Sequence, residues 1–68
     1  MIMNAETKKE IIAGMRLVAL QMLVLSNDMS YYGGLDKVWQ KHAVELCNAS
    51  EMLESWAKEA EDEEKEGN

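Results

Sequence analysis

Apolar residues recur along this chain at alternating steps of four and three, in two separate series with Tyr31-Tyr32-Gly33-Gly34 between them. That period keeps side chains on one side of an α-helix and is foreign to the alternation of a strand. The first series is Ile11, Met15, Val18, Met22, Leu25 and Met29. The second is Leu35, Trp39, His42, Leu46, Ala49, Leu53, Trp56 and Ala60, a run of nearly four heptads of the kind that packs against another helix. No proline interrupts either series, and Gly33-Gly34 permits a tight reversal between them. The spacing therefore predicts an all-α helical hairpin, two long antiparallel helices joined at the Tyr-Tyr-Gly-Gly turn. Its expected core is Ile11, Met15, Val18, Met22 and Leu25 against Leu35, Trp39, Leu46, Leu53 and Trp56.

One domain is all that 68 residues allow, and a chain of this size buries too little surface to be stable without help. A single cysteine excludes an internal disulfide, and a single histidine leaves few ligands for a structural metal. Association with further helices is the remaining source of stability. The first helix demands it, because it is apolar on nearly every side: Leu17, Leu20 and Val24 lie almost opposite the first stripe, and Leu23 lies on a flank. These residues, with Tyr31 and Tyr32, are the expected dimer or partner interface, and dimerisation into a four-helix bundle is the expected outcome. Ala43, Ser50 and Ala57, seven apart beside the second stripe, would allow a further helix to approach closely.

The first helix is expected to start at Thr7, where Thr7 and Glu10 have the spacing of a capping box, with Asn4 as the alternative cap. Its end near Tyr31 or Tyr32 is left open by Ser26-Asn27-Asp28. The second is expected from Leu35 to about Glu61, giving a domain over residues 1–62 and a disordered acidic tail over 63–68. Tyr31 and Tyr32 either close the end of the hairpin core or serve as a partner-binding hot spot.

Charge narrows the partners. The net charge is −6, and nine of the thirteen acids lie at or after Glu45. Nucleic acid and anionic membranes would repel such a chain, so an electrostatic partner should be a larger protein with a basic surface. Glu45, Glu51, Glu54 and Glu59 are the acids expected to face it. Lys8-Lys9 ahead of an apolar stretch raises the possibility of a signal peptide or membrane span, but Glu10, Arg16 and Gln21 break the stretch, and a cytoplasmic location is expected.

Catalysis finds no support in the residue pattern. His42 and Cys47, five apart on one helix, point in directions about 140° apart. His42 is expected as a core or interface histidine and Cys47 as a small, partly buried side chain. The acid pairs Glu51/Glu54 and Glu59/Asp62 echo those of all-helical nucleotide pyrophosphohydrolases, but such sites need acids on separate helices converging on magnesium, and here both pairs share one helix. The expectation is a non-enzymatic interaction module without cofactor: a small acidic regulator or inhibitor, phage-like and nucleic-acid mimicking, of a larger basic partner such as a nucleic-acid-processing complex. The alternative is a small subunit or chaperone whose apolar helix is completed by a client, as in secretion systems.

Overall fold

The computed structural model describes residues 3–66; Met1, Ile2, Gly67 and Asn68 lie outside the described residues. Two helices account for almost all of the described chain: α1, Ala5–Gly33, and α2, Lys37–Glu66. They pack along their length as an antiparallel hairpin, with extents of 50 × 19 × 16 Å.

The start of α1 is set by Asn4, whose side-chain oxygen accepts a hydrogen bond from the Thr7 amide at 2.8 Å. An amide at the third helical position would otherwise lack a partner. Asn4, not Thr7, is thus the cap. Ser26-Asn27-Asp28 does not end the helix, because Ser26 is buried against α2, where its Oγ donates to the Ala43 carbonyl at 2.5 Å. The chain reverses at Gly34, whose φ of +56° is costly for any residue with a Cβ. Asp36 then caps α2, its Oδ1 accepting from the amides of Val38 at 2.9 Å and Trp39 at 3.3 Å, so α2 begins at Lys37 and Leu35 belongs to the turn. At its other end α2 continues to Glu66, beyond the boundary at 62 that the run of acids suggests. Of the tail expected over 63–68, residues 67 and 68 lie outside the described residues.

The seam between the helices is made mostly of small residues. Ile12, Ala19 and Ser26 from α1 meet Ala43, Ser50 and Ala57 from α2, and these six are the buried residues among those described. Ser26 faces Ala43. One heptad further in each direction, the same register brings Ala19 opposite Ser50 and Ile12 opposite Ala57. A hydroxyl that reaches the backbone of the facing helix requires close axes, at the short end of the range of about 8–10 Å seen between packed helices. Ala43, Ser50 and Ala57 thus form the hairpin's own seam, rather than a flank for a further helix. The two serines are satisfied, Ser50 by bonding back to the Cys47 carbonyl at 2.7 Å. Among the described residues, no buried side-chain nitrogen or oxygen lacks a hydrogen-bond partner.

Candidate interaction surfaces

The two apolar stripes do not face each other across the seam. Ile11, Val18 and Leu25 each precede a seam residue of α1 by one position, and His42, Ala49 and Trp56 do the same on α2. An antiparallel pair of helices is related by a two-fold axis through the seam, so equivalent positions emerge on the same side of the hairpin. The stripes consequently lie side by side and form one broad face. Met15, Met22 and Met29 run down its centre beside Leu53, Leu46 and Trp39, in that order, and the outer rows are Ile11, Val18, Leu25 and Tyr32 on α1 and Leu35, His42, Ala49 and Trp56 on α2. A cleft at the turn, lined by Asp28, Met29, Tyr32, Gly33, Asp36 and Trp39, joins residues of both stripes and is consistent with that placement.

Of the expected core, Met15, Met22, Leu46 and Leu53 are half-buried at the edge of the seam. Ile11, Val18, Leu25, Trp39 and Trp56 keep 43–53% of their surface exposed, and Leu35 is fully exposed. These six are corrected from core to surface. The cause is size: side chains as large as tryptophan and leucine on both helices would hold the axes apart, whereas the alanine and serine positions let the backbones meet.

The opposite side of the hairpin is polar. Arg16 pairs with Glu61 there, and Gln40 closes the turn, its Nε2 donating to the carbonyls of Ser30 at 2.7 Å and Gly34 at 2.9 Å while its Oε1 accepts from the Ser30 hydroxyl at 3.0 Å. Gln40 thereby satisfies carbonyls at the C-terminal end of α1 that have no intrahelical partner. The sequence reading missed Gln40, because a long polar side chain one turn into a helix has no signature until the preceding helix end is beside it.

The back of α1 carries a second apolar patch. Leu17, Leu20 and Val24 are 53–58% exposed, and Leu23 sits on the flank toward Arg16 at 38%. Tyr31 continues this patch, whereas Tyr32 belongs to the broad face. The two rings pack edge to face with centroids 5.0 Å apart, and both remain at least 80% exposed. They do not close the hairpin core within one chain.

The four acids singled out do not share a face. Glu45 and Glu59 project from the outer side of α2, Glu45 lying 3.3 Å from His42 Nδ1. Glu51 and Glu54 line a shallow cleft with Arg16, Ser55 and Lys58, where opposite charges interleave. His42 is exposed on the broad face, while Cys47 is half-buried on the other flank of the seam. Among the described residues, no group of three or more His, Cys, Asp or Glu is placed to hold a metal ion.

By length and composition alone, α1 is long and apolar enough to cross a membrane, a property shared with core helices and N-terminal leaders. It is packed along its length on α2, a helix that carries nine of the chain's thirteen acids. Insertion would either strip α1 from its seam or draw those charges into hydrocarbon.

No protein-family model, curated protein or solved structure matches this chain.

Proposed function

We propose that the chain is a non-enzymatic protein–protein interaction module: a small acidic regulator or inhibitor that associates with itself and acts on a larger partner with a basic surface. The observation that carries this reading is a surface with two apolar patches, the broad face and the back of α1, on a molecule of net charge −6. Contiguous apolar surface on that scale marks sites of association. Two such patches on separate sides suit two contacts, one that completes the bundle and one that engages the partner. The acids that would steer a basic partner are Glu45 and Glu59, which no lysine or arginine pairs among the described residues. Glu51 and Glu54, which share a cleft with Arg16 and Lys58, contribute less to a phosphate-like array.

The test is affinity purification of the tagged chain, identification of what is retained, and repetition with Leu20→Glu and with Glu45→Gln/Glu59→Gln. The reading expects a partner with a basic surface whose retention is lost with Leu20→Glu and falls for the charge variant and with added salt. Retention indifferent to salt and to all three substitutions would refute it.

A second reading, that of a small subunit or chaperone completed by a client, is favoured by Met15, Met22 and Met29 along the centre of the broad face, since methionine adapts to varied surfaces. It expects a monomer with weak helicity alone and full helicity only on co-expression with the client.

A further inference from the structure

Resting on the interaction-module reading, we propose that the broad face is closed by a second copy of this chain, face to face, with Val18, Leu25, Trp39 and Trp56 at the contact. The area argues for it first. The chain exposes 5597 Å², whereas a compact monomer of 7.7 kDa exposes about 4,300 Å² by the scaling of surface with mass. The excess, about 1,300 Å² per chain, corresponds to about 2,600 Å² buried between two copies, within the range of permanent dimers.

Charge argues for it second. The four rows of the face, from Lys8 to Tyr32 on α1 and from Leu35 to Ala60 on α2, contain none of the thirteen acids, and Lys8 at one end is their only lysine or arginine. Acids stand only at its margins, Asp28 and Asp36 at the turn cleft and Glu45 beside His42, so a basic partner drawn by the acids elsewhere would find little counter-charge across its centre. An equally uncharged face fits, and the same chain supplies one. A contact of this kind places the acidic outer side of α2 and the back of α1 away from the interface, so self-association leaves the proposed partner surface free.

The unmodified chain provides the first test, because both tryptophans, Trp39 and Trp56, lie on this face. Mass by sedimentation equilibrium and tryptophan emission are followed over the same dilution series. The proposal expects the emission to shift to longer wavelength as the mass halves. Emission unchanged while the mass halves would overturn the assignment of the face. A mass that is monomeric at every concentration would overturn self-association altogether and leave only the client-completed reading.

Substitutions sharpen the result. Val18→Glu and Leu25→Glu should each raise the dimer dissociation constant at least about 100-fold, since each places two uncompensated charges in one dry interface. Val44→Glu, the same chemistry at an exposed valine on the polar side, should leave it unchanged. Helicity by circular dichroism at high dilution identifies a variant that fails to fold. Dimers that survive Val18→Glu but not Leu20→Glu would move the contact to the back of α1.

Discussion

Three glycines of α1 and the turn separate what a residue does from where it sits. A methyl group on Gly33 would stand 2.8 Å from Trp39 Cβ, so α2 has to shift to admit it. Gly33→Ala is expected to destabilise the hairpin by about 1–3 kcal/mol, the usual cost of overpacking, measured by urea denaturation. Gly34→Ala is expected to cost about 1 kcal/mol for its positive φ alone. Gly14 is mid-helix with open space where a Cβ would stand, so Gly14→Ala should stabilise α1 by about 0.5–1 kcal/mol. Three glycine-to-alanine changes with two opposite signs would confirm the turn geometry in one experiment. Gln40→Ala belongs with them: it removes three hydrogen bonds at the turn and is expected to cost about 1–2 kcal/mol.

At the scale of the helix, the pairing of α1 with α2 is governed by its smallest residues. Ala19→Leu is expected to destabilise the hairpin by about 1–3 kcal/mol in the same denaturation assay, because Ala19 is buried opposite Ser50 in the seam. Val18→Leu, one residue away and half exposed, should be nearly neutral in a single chain. This contrast also explains what was legible beforehand. Helical content, the break at Gly33-Gly34 and the hairpin follow from period and glycine placement, which depend on local chemistry. The apolar period places the seam one position away, on Ile11, Val18 and Leu25, because large apolar residues carry the strongest stripe, whereas the closest contact belongs to Ile12, Ala19 and Ser26. Hydrophobicity ranks the first set higher; backbone approach selects the second. The seven-residue spacing of Ala43, Ser50 and Ala57 was visible, and only its role changed. Neither Asp36 as a cap nor Gln40 as the clasp of the turn could be found from spacing alone, since both depend on how the two helix ends meet.

The molecule as a whole is too elongated for its mass. Its radius of gyration is 15.4 Å, against about 11 Å for a compact domain of this length. Stability in such a molecule should be borrowed from association, so the melting temperature is expected to rise with protein concentration, as mass action requires. Added salt should strengthen self-association, since copies of charge −6 repel each other and the four rows of the contact contain no acids. It should weaken binding of a basic partner. That opposite response separates the two contacts in one titration.

The central claim is that the chain completes its own core with a second copy. Light scattering over a wide concentration range tests it most directly. A mass of twice 7.7 kDa that persists to low micromolar concentration is the expected result. A mass of 7.7 kDa throughout, with weak helicity, would contradict it and assign the missing half of the core to another protein.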